Sequence, residues 1–401
     1  MKKFTILIAA VALVCFAAPA MAVDWNFYGN ARMATFYVSE DFGDVAAGAD
    51  SEDTDLQWDL QGNSRFGANV KAENIKAQVE MGINESSVSA RRVYGVWNFG
   101  SGTMKVGKDY TPTSQFISGQ VFDTDLGLLG TGTNYGGRHG QISFGFGNFE
   151  VALINMNAGH LDGMTTSTSA IASATLTTGE VVSVPLTATS SANGDIQRIM
   201  PKIELGWGMG FDSWNFNLMG GVNYFSISDV QSTITANGTD DIDVTSYIIG
   251  GDIGWNFGPG YLKAALSYGQ NVGNGAWTAG GKGTFGGTDG QAQWDGDDDT
   301  NDTTTTQAAL VGGLKMSDMF SFEAGFGIRN DATDGGPDGA TTGLSSVRDT
   351  TPWAVYLQSV IALAPGVYII PEVGYYDYSN NAAGDDAGSK FYLGGKWQIN
   401  F

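Results

Sequence analysis

The sequence predicts an all-β fold, a transmembrane antiparallel β-barrel of about sixteen strands. Short turns would close one end and long loops the other. Three observations predict it. Apolar and polar side chains alternate over runs of about ten residues, long enough for a tilted lipid span. Tight turn signals alternate with long polar loops. Aromatic residues gather where strands would meet the membrane boundary. Almost no 3.6-residue periodicity accompanies them.

The chain begins with Lys2 and Lys3, an apolar run from Phe4 to Ala18, and Ala20-Met21-Ala22. A short basic region, an apolar core and an A-x-A site make a secretory signal, cut after Ala22. The apolar run is short for a membrane helix, and no stop-transfer pattern follows. Cys15, the only cysteine, lies inside it. Residues 1–22 are therefore read as a signal peptide. Residues 23–401 are read as one barrel with no disulfide framework.

The strands follow in order. In DLQWDLQGNSRFGANVK, Leu56, Trp58, Leu60, Phe66, Ala68 and Val70 share one parity, against Gln57, Asp59, Asn63, Arg65 and Lys71. In IKAQVEMGI, Ile75, Val79 and Met81 oppose Lys76, Gln78 and Glu80. In DSWNFNLMGGVNYF, Trp214, Phe216, Leu218, Val222 and Tyr224 oppose asparagines. In MFSFEAGFGIR, Phe320, Phe322, Phe326 and Ile328 oppose Ser321, Glu323 and Arg329. The last strand, KFYLGGKWQINF, sets Phe391, Leu393, Trp397 and Ile399 against Tyr392, Lys396 and Gln398. Alternate side chains of a strand point to opposite faces. The apolar face is predicted to meet lipid and the polar face a lumen.

Tight turns are predicted at Gly100-Ser101-Gly102, Gly147-Asn148, Gly258-Pro259-Gly260, Ser317-Asp318 and Ala364-Pro365-Gly366. Long loops are predicted at 39–54, 110–139, 159–195, 227–242, 272–305, 331–348 and 379–388, with a short connection near 85–89. The Thr/Ser/Ala-rich stretch 164–195 holds TGEVVSVPLTA, which reads as a loop hairpin outside the membrane. Trp25, Phe27, Trp97, Phe99, Phe149, Phe257, Tyr261, Phe320 and Phe401 form one expected girdle. Tyr37, Tyr247, Tyr268 and Tyr378 form the other.

A soluble β-sandwich also alternates, but its strands average five or six residues and both inner faces must be apolar. The polar parity here carries Arg65, Glu80, Lys202, Glu204, Asp252, Glu323, Arg329 and Glu372. A water-filled lumen accepts these and a packed core does not. The composition, with 20 Lys+Arg against 42 Asp+Glu, excludes nucleic acid as a partner. It predicts a mild preference for cations.

One stretch resembles a family. SRFGANVKAENIKAQVEMG, then RRVYGVWNFGSGTMKVGKDYTPTSQF, is similar to the Gram-negative general porins. Ser64-Arg65-Phe66-Gly67 match their S-R-[LF]-G. Gln78-Val79-Glu80 match Q-x-E. Arg91 and Tyr94 match R-x-x-Y-x-G, with Val96 standing where the family has Gly. Met104, Val106, Gly107, Lys108, Tyr110, Thr111 and Pro112 match the last piece. Phe401 resembles the terminal signal read by the barrel-assembly machinery.

The resemblance implies a homotrimer in the outer membrane of a Gram-negative bacterium, in contact with lipids and lipopolysaccharide and passing small hydrophilic solutes. It implies that residues 110–139 fold inward as a constriction loop. Asp123 and Asp125 are its acidic candidates. Arg65 and Arg91 are the basic wall candidates. Strand parity, judged from Val93 and Trp97, places Arg92 rather than Arg91 in the lumen, and a one-residue slip exchanges the faces. Both stay as candidates, with Lys105 and Lys108 beside them. Opposed charges across such a neck create a transverse field that orients dipolar solutes.

Other constellations carry less. WDGDDDTND offers Asp297, Asp298 and Asp299 as weak hard-cation ligands, without the glycine and closing glutamate of an EF-hand loop. A solvated acidic loop is the plainer reading. His139, and His160 near Asp162, lack a nucleophile or paired carboxylate at a persuasive spacing, so no catalytic site and no cofactor is assigned. Two alternatives to a diffusion channel remain: a selective channel for an oxyanion or sugar, and a non-conducting adhesin or structural barrel.

Overall fold

A computed structural model describes residues 23–41, 43, 52–161, 164, 167–175, 181–189, 194–231, 239–278, 290–295, 298–333, 349–380 and 386–401. The expected leader, Asp162 and Asp297 lie outside the described residues.

Sixteen antiparallel strands close on themselves. They are β1 (Asp24–Asp41), β2 (Glu52–Leu60, continued by Ser64–Lys71), β3 (Ile75–Ile83), β4 (Val88–Asn98), β5 (Thr103–Tyr110), β6 (Arg138–Phe146), β7 (Phe149–Ile154) and β8 (Asp195–Gln197, continued by Lys202–Gly210). There follow β9 (Trp214–Gln231), β10 (Thr239–Phe257), β11 (Gly260–Gln270), β12 (Thr303–Lys315), β13 (Phe320–Thr333), β14 (Trp353–Ala364), β15 (Val367–Asp377) and β16 (Ser389–Asn400). Each pairs with the next, and β1 pairs with β16 from Asn30↔Asn400 to Asp41↔Ser389. Closure leaves no sheet edge, which is what lets strands cross a lipid layer.

The predicted parity holds on the outer face. Trp58, Phe66, Val79, Trp97, Leu218, Ile253, Leu266, Phe322, Leu357 and Trp397 are all exposed. The tight turns lie at one end, where Gly100 (φ +96) and Gly366 (φ +81) adopt conformations costly to other residues. At this end the Phe401 ring covers Gly29, where an added Cβ would sit 2.5 Å from Cε2. The amide and carbonyl of Phe401 pair with those of Gly29 at 2.9 and 2.7 Å. The final residue thus extends the β1–β16 seam.

Three expectations need correction. Tyr261 and Tyr378 do not join the girdles: both turn inward, their hydroxyls donating to Glu323 and Glu40. The loop expected at 227–242 is shorter, because β9 runs to Gln231 and β10 starts at Thr239. Phe225, Ile227, Val230, Ile242 and Val244 pack there with Met156 and Trp294 in an apolar cluster, which holds the strands paired at the long-loop end of the barrel. The strand expected over 55–71 is interrupted at Gln61–Asn63. Met33 pairs with Leu60 and Asn30 with Arg65, so two extra residues bulge inward while parity is kept on both sides. Stretch 164–195 does contain a hairpin, with Ser167–Thr175 paired to Val181–Thr189.

Candidate channel constriction

After β5 the chain turns into the barrel. From Thr111 to Gly137 it runs along the inner wall, and its backbone polar groups find partners on the strands it passes. Thr113 donates to Glu204 on β8 from both N–H and hydroxyl, at 3.1 and 2.8 Å. Gln115 reaches the Gly251 carbonyl on β10 at 2.8 Å. Lys263 on β11 donates to the Ile117 carbonyl at 3.2 Å. The Gly119 N–H donates to Glu323 on β13 at 2.7 Å, and Tyr261, Tyr356 and Gln358 donate to the same carboxylate. The N–H groups of Val121 and Phe122 donate to the two oxygens of Glu372 on β15 at 2.6 and 3.0 Å.

An inward loop brings unpaired backbone amides into a confined space, and buried donors need acceptors. The carboxylates of β8, β13 and β15 supply them. Apolar side chains complete the attachment. Ile117, Val121, Phe122 and Leu126 pack with Phe36, Tyr376 and Tyr392. Phe122 stacks on Tyr392 with ring centroids 3.7 Å apart.

At the loop tip, Phe122–Asp125 form a single distorted turn, with Asp123, Thr124 and Asp125 at φ +53, +33 and +60. Such left-handed conformations cost about 1–3 kcal/mol each outside glycine and persist only when neighbours hold them. Here Asn63, in the β2 bulge, donates to the Thr124 carbonyl, and Gln61 donates to that of Val121 at 2.9 Å. Arg32 on β1 and Lys396 on β16 both pair with Asp125, the latter at 2.7 Å. Asp125 therefore fastens the tip to the wall. Asp123 sits beside it on the same turn, half-buried.

The arc from β2 to β7 carries the cations. Arg65 and Arg91 share Glu80, at 3.6 and 3.0 Å. Arg92 and Lys105 share Asp109, at 2.8 and 3.2 Å, and Lys105 also meets Glu150 at 3.1 Å. A β-bulge resolves the conflict between motif and parity. Glu80 pairs with Arg92 and Met81 with Ala90, so Arg91 is an extra residue in β4. Both arginines then face the lumen. Lys108 does not: it pairs with Val93 on the outward parity and donates to the Ala90 carbonyl at 2.9 Å.

Between loop and cationic arc lies a cavity of about 510 Å³, lined by Arg65, Arg91, Arg138, Asp125, Phe116 and Tyr135 among others. A second, of about 450 Å³, is lined by Phe116, Glu150, Asp252 and Lys263. Burial pushes the Tyr135 phenol above its usual range, so it stands as a neutral donor. Arg138 has no carboxylate within ion-pair distance among the described residues; its guanidinium lies 5.2 Å from the Tyr110 ring centre.

Sequence reasoning missed Arg32, Lys396, Arg138 and the anchoring role of Glu204, Glu323 and Glu372. Inward parity was the available signal for Arg32 and Lys396, but nothing local says that a loop will meet them. Among the described residues, no cluster of three or more histidines, cysteines or carboxylates could hold a metal ion, and Asp298 and Asp299 join none. His139 lies on β6, and His160 contacts the Gly194 carbonyl at 2.9 Å.

No protein-family model and no curated protein matches the chain. Solved structures do. The outer membrane channel DcaP of Acinetobacter baumannii shares 14% identity at a TM-score of 0.63, over 96% of this chain and 99% of that one. An anion-selective porin from Comamonas acidovorans shares 13% identity at 0.55, over 94% and 100%. OmpF of Salmonella typhi, in complex with daunomycin, shares 10% identity at 0.51, over 94% and 97%. At these identities the likeness establishes the fold, which is the porin barrel.

Proposed function

We propose that the protein is an outer-membrane channel through which small hydrophilic solutes and ions diffuse, with no bond made or broken. The observation that carries this reading is the pairing of an apolar outer face with a polar lumen that holds a cavity between inward loop and cationic wall. An adhesin that needed no pore would have no reason to leave that cavity lined with arginines.

The chain's acidity argues for cation preference, but its carboxylates crowd the loops. In the neck, cations outnumber the carboxylates they share, and Arg138 adds one more. Selectivity is decided where the path is narrowest and least screened. We therefore infer that the neck favours anions and that the acidic loops temper this at the mouth.

Export by the leader, insertion guided by Phe401, contact with lipopolysaccharide and assembly as a homotrimer belong to the same reading. OmpT of Vibrio cholerae, which has this fold, occurs in a trimer form. The test is planar-bilayer recording of the purified protein in a KCl gradient. Stepwise conductance with an anion-directed reversal potential supports the proposal. Silence would return the weight to an adhesin, and cation-directed reversal would overturn the neck assignment.

A further inference from the structure

Phe116 is out of place. It is 53% exposed, yet it stands on the inward loop rather than on the lipid face. It lines both lumen cavities, so it marks the passage between them. It also belongs to an aromatic cluster: Tyr110 lies 4.8 Å away edge-on, Tyr135 lies 6.3 Å away, and Tyr110 and Tyr135 are 6.4 Å apart.

The other two rings are already engaged. Tyr110 has the guanidinium carbons of Arg92 and Arg138 at 5.5 and 5.2 Å from its centre, and Arg138 donates to its hydroxyl at 3.2 Å. Tyr135 is half-buried and continues into the loop wall. Of the three, Phe116 alone offers the cavity a large uncovered ring surface. An apolar ring exposed to water in a confined polar space gains by covering its face. Within the same cavity Arg138 stands without a carboxylate partner among the described residues, and Arg65 and Arg91 divide one between them.

The geometry points to a binding station in the neck for aromatic carboxylates, the ring resting against Phe116 and the carboxylate drawn to Arg138, with Arg65 and Arg91 beyond it. This deepens the channel reading and rests on it. A planar carboxylate suits a guanidinium through paired N–H donors. An aliphatic acid satisfies only the charge, and a neutral aromatic only the ring, so the station separates them.

The test uses the full-length purified protein in a planar bilayer, with benzoate, acetate and benzyl alcohol added separately to KCl. Benzoate is expected to reduce the current at a concentration about tenfold below that needed for acetate, with benzyl alcohol weaker than benzoate. Phe116→Ala, at an exposed side chain, should bring benzoate to the level of acetate, each block being read relative to the variant's own KCl conductance. Arg138→Gln should weaken benzoate several-fold and leave benzyl alcohol unchanged. Equal effects of benzoate and acetate in the unaltered protein, or an unchanged ratio in Phe116→Ala, overturn the proposal. Titration calorimetry of benzoate into the detergent-solubilised protein reads the same contrast without conductance. A protein that binds benzoate but carries no current would therefore sink the channel reading and spare the station, and the reverse result would do the opposite.

Discussion

Two arcs of one barrel wall, built on the same period-two pattern, hold the inward loop and the open cavity apart. The arc from β8 round to β1 presents Glu204, Glu323 and Glu372, which are consumed by the loop backbone, and a set of tyrosines, which meet the Gln120 and Ser118 side chains. The arc from β2 to β7 presents arginines that share too few carboxylates and lie against open cavity. The difference is one of chemistry. A strand of loop backbone entering the barrel offers N–H donors, and carboxylates accept them. Guanidiniums are donors only, so they cannot take those amides. Acid thus collects where the loop's amides dock, while the bases of that arc, Lys263, Arg32 and Lys396, take a loop carbonyl and the loop's own Asp125.

The comparison breaks most readily on the docking arc. Glu323→Ala with Glu372→Ala leaves the N–H groups of Gly119, Val121 and Phe122 without acceptors, at about 1–3 kcal/mol for each orphaned donor. We expect the loop to lift from the wall, the single-channel conductance to rise several-fold, and the thermal unfolding midpoint to fall. An unchanged conductance would mean that the aromatic packing alone holds the loop. On the open arc, the combined Arg65→Gln, Arg91→Gln and Arg138→Gln variant should carry the reversal potential from the anion side to the cation side, with conductance changed by less than about twofold.

Asp125→Asn joins the two arcs. It releases Arg32 and Lys396 into the neck, and the reversal potential should move further toward anions by a fraction of the triple variant's shift. A move toward cations would show that Asp123 governs the neck instead. The smallest effect belongs to Lys108→Gln. This residue stands on the outward parity, so reversal potential and conductance should both match the unaltered protein.

Much of this was legible beforehand. Alternation at Trp214–Tyr224 and Phe320–Ile328 fixes strand and face, because lipid and water sort side chains with a period of two. The inward loop came from resemblance to a family, not from its own residues. Nothing in its composition says that Gly119 will meet Glu323, some two hundred residues later. Contacts of that kind depend on closure of the whole ring. Arg91 and Arg92 show the other limit. Parity reasoning assumes an unbroken ladder, and here one inserted residue breaks it.

That insertion bears on how such a channel can change. In a regular strand two adjacent positions can never both serve the pore, so each new lumen charge has to replace a side chain already there. A one-codon insertion escapes that rule, adding a charge to the pore while every lipid-facing neighbour keeps its place. On the proposed channel reading, length variation at this point in β4 is thus a route by which descendants of this gene can retune what they admit without relearning how to sit in a membrane.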